Sequence, residues 1–240
     1  MKPYEHLDDA TAPDGTVLSL YRHDGAYLIR IGGVELMSTR RFHSEERLAE
    51  LACAACTALP APRVLIGGLG FGFTLRAALR TLPAGAQVVV AEVVERVIAW
   101  NRNPAYPLAA ASLADPRTEL VHADVRTVLS AGRGGFDAIL LDVDNGPDAL
   151  TSRGNASLYS AAGVALAVAA LRPAGTLGYW SAHPAPAFER TLRGAGLRVE
   201  THRVPAHATA GTLHSLFIGQ RGSGSSRNAK AGGTGSTAGS

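Results

Sequence analysis

A glycine-rich turn and a carboxylate 20 residues beyond it form the most chemically informative pattern in the chain. The turn follows a short apolar run that ends at Ile66, and a helical pattern follows the turn. Glycine lets the backbone approach a ligand closely, and a carboxylate at the spacing of Glu92 can bind the two hydroxyls of a ribose. The pattern predicts an α/β site for a nucleotide or nucleoside. The residues that we expect to contact this ligand are Gly67, Gly68, Gly70, Gly72, Glu92 and Val93.

Further acids follow the next two predicted strands. Asp124, with Val125 beside it, comes after the strand pattern at 118–122, and Asp142 comes after the strand pattern at 136–141. Ligands of open α/β sheets bind beyond the carboxyl ends of the strands, so we expect both acids beside the glycine turn. Local roles remain open for them, because Asp suits helix caps and turns. The loop after Asp142 adds two further candidates, Asp144 and Asn145.

The turn departs from the G-x-G-x-x-G fingerprint of dinucleotide sites. Counted from Gly68, the sixth residue is Phe73, and counted from Gly70 it is Leu75. The missing third glycine disfavours a bound pyrophosphate. A G-x-G-x-G turn followed by acids suits a nucleoside without phosphates.

Short apolar strands alternate with helices from residue 63 onward, which is typical of a mostly parallel sheet covered on both faces. A final apolar run at 213–218 has no helix before it and predicts an antiparallel hairpin. Upstream, three strand patterns at 16–21, 26–31 and 34–37 precede a helix that Ser44 is expected to cap. The other predicted strands are 63–67, 87–91, 118–122, 136–141, 175–180 and 197–201, and the predicted helices are 72–82, 94–101, 125–131, 159–171 and 185–194.

Composition bounds the class of protein. The chain has 240 residues, is 46% hydrophobic and 18% charged, and carries a net charge of +3, which is typical of a globular protein. Three basic residues and no acid lie in 221–240, so the rest of the chain is neutral and offers no basic face for nucleic acid. No run of 18 apolar residues predicts a membrane span. With no signal sequence and only Cys53 and Cys56, a cytoplasmic location is expected.

The chain resembles a known family in four of these segments. The glycine turn at 67–72, the segment 92–97, His122-Ala123-Asp124-Val125 and Phe136 to Asp142 are similar to the S-adenosylmethionine fold of class I methyltransferases. Within that superfamily they resemble the spermidine synthase-like proteins, or polyamine aminopropyltransferases. A small β domain before the nucleoside fold, and the helix start Phe42-His43-Ser44-Glu45-Glu46, add to the resemblance.

The resemblance implies roles by position. The glycines would line the methionine-like and ribose parts of the group donor, and Glu92 would hold its ribose. Asp124 would accept the adenine amino group, with Val125 beside it. Asp142, with Asp144, would orient and deprotonate the attacking amine. The donor would be decarboxylated S-adenosylmethionine or S-adenosylmethionine, with no metal.

Several positions depart from the family's pattern. The family has Asp-x-x-Asp-Pro after the fourth strand, whereas here Asn145 and Gly146 follow Asp142 at that spacing. Glu35 stands where the family tends to have Gln, and Phe42 replaces the Tyr of its Tyr-His-Glu helix start. Two other functions therefore stay open, which are methyl transfer from S-adenosylmethionine and nucleoside binding without catalysis.

Candidate substrate residues are Glu35, His43, Glu46, Asn145 and Tyr159. His43 and Glu46 lie one helical turn apart, although a solvated helix face would explain them equally well. Tyr159 can line the site or merely pack against its helix. Cys53 and Cys56 lie in an apolar helical stretch and are interpreted as core residues rather than a redox pair. His183, after the fifth strand, is a weak candidate.

We therefore expect a Rossmann-like α/β fold with a seven-stranded, mostly parallel sheet and a small N-terminal β domain. Residues 1–60 would form the β domain and a linking helix, 61–220 the catalytic domain, and 221–240 a disordered tail. The expected function is aminopropyl transfer to a small-molecule amine, as in polyamine biosynthesis. A homodimer is expected through the edge of the β domain, with no nucleic-acid or membrane partner.

Overall fold

The computed structural model describes residues 3–143, 156–207 and 211–223. An antiparallel sheet comes first, with strands in the order β1-β2-β3-β4. Positive φ angles at Asp24-Gly25 and Gly32-Gly33 give the two tight hairpins that the turn residues predict. The strands are β1 Glu5–Thr11, β2 Val17–His23, β3 Ala26–Ile31 and β4 Val34–Ser38.

Strand β1 is absent from the sequence-based prediction. Its sequence Glu-His-Leu-Asp-Asp-Ala-Thr is mostly polar, and Ala10 is its one buried residue. The hydrophobic alternation that marks a half-buried strand is therefore missing. Pairing with β2 along nearly its whole length forms the strand instead.

Alternating strands and helices make up the rest of the described chain, as predicted, with one further short helix at Ala110–Leu113 that the sequence did not predict. The strands are β5 Arg63–Gly67, β6 Gln87–Glu92, β7 Thr118–His122, β8 Phe136–Leu141, β9 Leu171–Ser181, β10 Leu197–Pro205 and β11 Leu213–Arg221. The helices are α1 His43–Cys53, α2 Phe73–Thr81, α3 Glu95–Arg102, α4 Ala110–Leu113, α5 Val125–Ala131, α6 Ala161–Ala170 and α7 Pro186–Gly194. Short 3-10 helices span Ala54–Ala58 and Ser157–Tyr159.

The second sheet has seven strands in the order β10-β11-β9-β8-β5-β6-β7. Strands β5 to β9 run parallel, and β11 pairs antiparallel with both β9 and β10. The seven-stranded, mostly parallel sheet, the terminal hairpin and the separate N-terminal sheet are thus confirmed. The strand order reverses between β5 and β8, and a crevice forms at such a switch point in open α/β sheets.

Alternate residues of the parallel strands face two separate cores. Val64, Ile66 and Leu140 pack on the face covered by α1 and α2. Leu65 and Ile139 pack on the opposite face, which α5, α6 and α7 cover. This alternation is what a strand buried on both sides requires, since successive side chains point to opposite faces.

Several of the predicted boundaries are wrong. The helix predicted at 159–171 ends at Ala170, because Leu171 already pairs with Phe136 in the sheet. Strand β9 therefore begins four residues before the predicted start at 175. Ser44 does not cap α1, which begins at His43 after Phe42 with no side-chain cap. The Ser44 hydroxyl bonds to side chains of other elements instead.

Backbone hydrogen bonds continue past the strand ends that meet at the crevice. The N–H of Gly68 donates to Ala91 O (2.9 Å), and the N–H of Ala123 donates to Glu92 O (3.1 Å). The N–H of Asp142 donates to Gly67 O (3.0 Å). The loops after β5, β7 and β8 are thereby held to their neighbouring strands at the point where they leave the sheet.

Residues 224–240 lie outside the described residues, and they include most of the tail predicted to be disordered. Asp144 and Asn145 lie outside them too. Within the described ranges, no helix combines the length and the apolar character needed to cross a membrane.

One side-chain cluster joins the N-terminal sheet to the parallel-sheet region. Asp8 in β1 accepts hydrogen bonds from Arg96 Nε (2.7 Å) and from the buried indole Nε1 of Trp100 (2.8 Å), both in α3. The Arg96 guanidinium lowers the pKa of the Asp8 carboxyl below its usual range. The carboxylate thus serves as the shared acceptor for two donors of the neighbouring helix.

We expect Asp8→Ala to lower the free energy of unfolding by about 1–2 kcal/mol, because the Trp100 N–H loses its acceptor and Arg96 its partner. Urea unfolding measures the change. The control is Asp9→Ala, since Asp9 is exposed and bonds only to the side chains of exposed His6 and partly exposed Ser19 among the described residues, and it should change the free energy by less than about 0.5 kcal/mol. Equal effects of the two variants would contradict a linking role for Asp8.

Candidate functional site

A cavity of about 550 Å³ lies beyond the carboxyl ends of the parallel strands. The glycine turn, the end of β6 and the ends of β7 and β8 form one wall, and the N-terminal sheet contributes another through residues such as Ile29 and Met37. Of the residues predicted for the site, the cavity is lined by Gly68, Gly70, Glu92, Val93, Asp124, Val125, Asp142 and Glu35.

The glycine turn packs closely against the loop after β8 and against strand β4. Gly68 has a φ of +89°, and a Cβ there would lie 2.4 Å from the carbonyl oxygen of Asp142. At Gly70 a Cβ would meet the side chain of Met37 at 2.6 Å. Gly68 therefore excludes any side chain, which keeps backbone exposed to the cavity, whereas at Gly70 the end of the flexible Met37 side chain would have to shift.

Gly67 and Gly72 do not line the cavity. A Cβ on Gly67 would collide with Leu141 and Val125, and a Cβ on Gly72 would lie 2.4 Å from the Cβ of Ala109. These two glycines allow close packing of the turn against its neighbours. They lie behind the turn, and their contact with a ligand stays a prediction.

Glu92 presents a fixed carboxylate to the cavity. Its Oε2 accepts from the Leu69 N–H (2.9 Å), and its Oε1 accepts from the Val94 N–H (2.8 Å). Burial raises the pKa of this carboxyl, and the backbone hydrogen bonds oppose that rise. The Val93 N–H also acts on this carboxylate, which leaves it capacity to accept a hydroxyl donor such as that of a ribose.

Asp124 combines two roles. Its carboxylate caps α5 by accepting from the Arg126 N–H (2.8 Å), and it also pairs with the Arg126 guanidinium. That guanidinium lowers the pKa of the Asp124 carboxyl. Arg126 in turn donates to Ser157 Oγ (3.0 Å). The helix cap and a cavity-lining position are therefore compatible.

Asp142 and Glu45 bring two carboxyl groups into the same cavity. Asp142, only partly exposed, accepts from the Thr74 hydroxyl (2.8 Å), and Glu45 is 9% exposed. Burial raises the pKa of both, and the negative charge of Asp142 raises that of Glu45 further. Two carboxyls in such a setting bind a cation or share a proton.

Three predicted substrate residues lie elsewhere. Neither His43 nor Glu46 lines the cavity, and Glu46 forms ion pairs with Arg76 (2.8 Å) and Arg80 (3.0 Å). Tyr159 packs among Tyr179 and Phe188 in the core, and only 6% of it is exposed. Glu35 lines the cavity but is paired with Arg41.

A network beside Glu45 was not foreseen from the sequence. Ser44 Oγ lies 2.6 Å from Glu45 Oε2 and 2.8 Å from His214 Nδ1, and it accepts from the Trp180 indole (3.0 Å). The available signal was the helical period. Ser44 and Glu45 fall on the buried face of α1 with Leu48, whereas Glu46 does not.

The two cysteines are buried, as the sequence predicts. Cys53 and Cys56 are each at most 1% exposed and form no disulfide. Burial raises the pKa of both thiols, so neither carries the thiolate that redox chemistry needs. This agrees with their interpretation as core residues.

Comparison with solved structures shows the same fold in spermidine synthases. The enzyme from Thermotoga maritima matches with a TM-score of 0.69 at 18% identity, covering 91% of this chain and 74% of that one. A spermidine synthase bound to the transition state analogue AdoDATO matches with a TM-score of 0.68 at 18% identity, covering 91% and 73%.

A probable spermidine synthase from Corynebacterium glutamicum matches with a TM-score of 0.64 at 15% identity, covering 92% of this chain and 81% of that one. No model of a known family and no curated protein matches the sequence. The chain therefore has the spermidine synthase fold, a member of the methyltransferase-like α/β folds.

Gly68→Ala is expected to destabilise the protein more than an alanine substitution at another glycine of positive φ where the new Cβ meets no neighbouring atom. Gly134 is the matched control, because its φ is +61° and a Cβ there meets nothing within 4 Å. Gly134→Ala should cost about 1 kcal/mol from its backbone conformation alone. Gly68→Ala should cost at least about 1 kcal/mol more, from collision with Asp142. Urea unfolding measures both, and equal costs would refute the close approach.

Glu45→Gln is expected to change how stability depends on pH. The carboxyl binds its proton more tightly in the folded protein than at its ordinary pKa of 4.5, so its contribution to stability falls as the pH rises above that value. Relative to the wild type, the variant should gain stability between about pH 5 and about pH 8. Unfolding free energies measured across this range test the expectation.

Glu46→Gln is the control for this change. Despite partial burial, hydrogen bonds from Arg80 and Arg76 lower the pKa of Glu46. Its contribution is therefore complete above the ordinary glutamate pKa and is lost only in acid. The stability difference between this variant and the wild type should stay constant over the same range. A constant difference for Glu45→Gln as well would show that Glu45 is not protonated in the folded protein.

Proposed function

We propose that the protein transfers an aminopropyl group from decarboxylated S-adenosylmethionine to an amine, in the manner of a spermidine synthase. The observation that carries this proposal is the pair Glu45 and Asp142. Both carboxyl groups line the cavity at the glycine turn, and neither forms an ion pair within the described ranges. Buried carboxyls without cationic partners favour a cationic ligand.

The donor's nucleoside fits the wall formed by the ends of β6 and β7. Glu92 keeps acceptor capacity for a ribose hydroxyl, and Asp124 can accept from an adenine amino group if it shares its carboxylate with Arg126. Val93 and Val125 line the cavity beside these acids and offer apolar surface to the base. The exposed backbone at Gly68 leaves space for the donor's aliphatic chain, which is attached to the sulfonium.

The charges of the cavity favour the decarboxylated donor. S-adenosylmethionine carries a carboxylate that cationic or N–H donors must satisfy, whereas the decarboxylated form lacks this group. Two arginines line the cavity, and each is already paired, Arg41 with Glu35 and Arg126 with Asp124. The decarboxylated donor, which carries only positive charge, therefore faces carboxyl groups of opposite charge. S-adenosylmethionine would place its own carboxylate next to these acids.

The transfer requires an unprotonated amine placed in line with the carbon–sulfur bond. The amine's lone pair forms the new carbon–nitrogen bond while the breaking bond returns its electron pair to sulfur. Asp142, held by the Thr74 hydroxyl, can bind the amine and orient it for this attack. Removal of water by the cavity walls strengthens that interaction.

Isothermal titration with three ligands tests the proposal. Decarboxylated S-adenosylmethionine or 5′-methylthioadenosine should bind more tightly than S-adenosylmethionine. Stronger binding of S-adenosylmethionine would point to methyl transfer, and binding of none by the folded protein would refute a nucleoside site. The transfer itself is measured by mass spectrometry with 1,4-diaminobutane as the acceptor.

Asp142→Asn should lower kcat by about 10²-fold or more, because the amine loses the carboxylate that orients it for attack. Donor binding should persist, because the amide keeps the shape of the carboxyl. Asp9→Asn makes the same change on the outer strand β1 and should leave turnover unchanged. If ligands bind but no amine is modified by the wild type, the protein is a nucleoside-binding module instead.

A further inference from the structure

Ser44 connects the cavity carboxyl Glu45 to a histidine on another strand. The hydroxyl has one hydrogen and two lone pairs. Trp180 Nε1 is only a donor and occupies one lone pair at 3.0 Å. The remaining hydrogen and lone pair must serve Glu45 Oε2 at 2.6 Å and His214 Nδ1 at 2.8 Å.

With the acid proton of Glu45 on Oε2, only two arrangements of protons satisfy these three contacts. If Glu45 is ionised, Ser44 donates to it, and His214 must donate from Nδ1 to Ser44. If Glu45 is protonated, it donates to Ser44, Ser44 donates to His214 Nδ1, and the imidazole keeps its hydrogen on Nε2. The protonation of Glu45 and the tautomer of His214 are therefore linked through one hydroxyl.

The surroundings keep the histidine neutral and its ring fixed. Trp180 packs against His214 in an edge contact with ring centroids 4.6 Å apart. Burial, followed by the nearby Arg41 and His183, lowers the pKa of His214 to about 4. The groups that act on Glu45 are the Asp142 carboxyl across the cavity and Glu46 on the same helix. A neutral imidazole can take a proton on one nitrogen while it releases one from the other.

We propose that Glu45 accepts the proton of the incoming ammonium group and that Ser44 and His214 carry this proton out of the cavity. This inference rests on the proposed function and extends it to the proton's route. In this proposal Glu45 contacts the substrate's nitrogen, whereas Ser44 and His214 are positioning residues that act through Glu45.

The proton and electron pairs balance along this route. The ammonium group gives one proton to the Glu45 carboxylate and becomes the neutral amine that attacks the donor. Because His214 carries its hydrogen on Nδ1 while Glu45 is ionised, exchange with water then moves that hydrogen to Nε2, and Ser44 turns its hydroxyl towards Nδ1. The Glu45 carboxyl passes a proton to Ser44 Oγ, Ser44 passes its own to His214 Nδ1, and Nε2 releases one to water, which restores the starting arrangement. His214 lines the cavity and is partly exposed, so water can take this proton. No stable imidazolium is required.

The tautomer of His214 provides a test that needs no substrate. Nuclear magnetic resonance of protein labelled with ¹⁵N-histidine distinguishes hydrogen on Nδ1 from hydrogen on Nε2. As the pH rises through the titration of Glu45, the His214 hydrogen should move from Nε2 to Nδ1. His183, which lines the same cavity outside the chain of hydrogen bonds, should show no linked change and is the internal control.

Two variants separate the relay from general perturbation. Ser44→Ala removes the connecting hydroxyl, and Glu45→Gln removes the titrating group while keeping its volume. Each should abolish the pH-linked tautomer change of His214, and either one is sufficient if the other fails to fold. A tautomer that stays constant with pH in the wild type, or one that still switches in Glu45→Gln, overturns the proposal.

Turnover with decarboxylated S-adenosylmethionine and 1,4-diaminobutane gives the second readout. Glu45→Gln should lower kcat by about 10²-fold or more, and Ser44→Ala should lower kcat with little change in KM and should reduce the solvent isotope effect. An unchanged pH profile of kcat in both variants overturns the relay. If the wild type transfers no group, the tautomer result still decides whether the hydrogen-bonded chain exists.

Discussion

Burial of carboxyl groups at one edge of the parallel sheet is the constraint on which the candidate site depends. A carboxylate removed from water is costly unless donors replace its hydration. Glu92 is satisfied by backbone N–H groups, Asp142 by Thr74, and Glu45 by Ser44. The turn at Gly68 directs the Leu69 N–H towards the Glu92 carboxylate. The glycine pattern and the acid therefore form one structural unit.

The parallel sheet and its glycine turn could be predicted from the sequence because both leave strong local signals. Strands such as β6 are buried on both faces and have nearly continuous apolar sequences, and the glycines occur where the turn packs closely against neighbouring atoms. The polar strand β1 left no such signal, since pairing with β2 rather than burial forms it. The end of α6 was misplaced by one residue because helix and strand meet there without a loop.

The cavity wall was harder to predict, because it depends on which face of a helix meets the sheet. Both Glu45 and Glu46 are acids at the start of α1, and a resemblance in sequence does not separate them. The position of Leu48 on the buried face does, since Glu45 lies one turn before it. Distant partners such as His214 come from the far end of the chain and require the fold itself.

The hydrogen bonds that extend the sheet past its strand ends have a consequence for ligand recognition. The backbone of Gly68, Ala123 and Asp142 is ordered by its neighbours before any ligand arrives. Association therefore loses little conformational entropy in this part of the molecule, and more of the contact energy remains as affinity. Among the described residues, the adaptable elements of recognition are side chains such as Arg126 and Met37 rather than the chain that carries them.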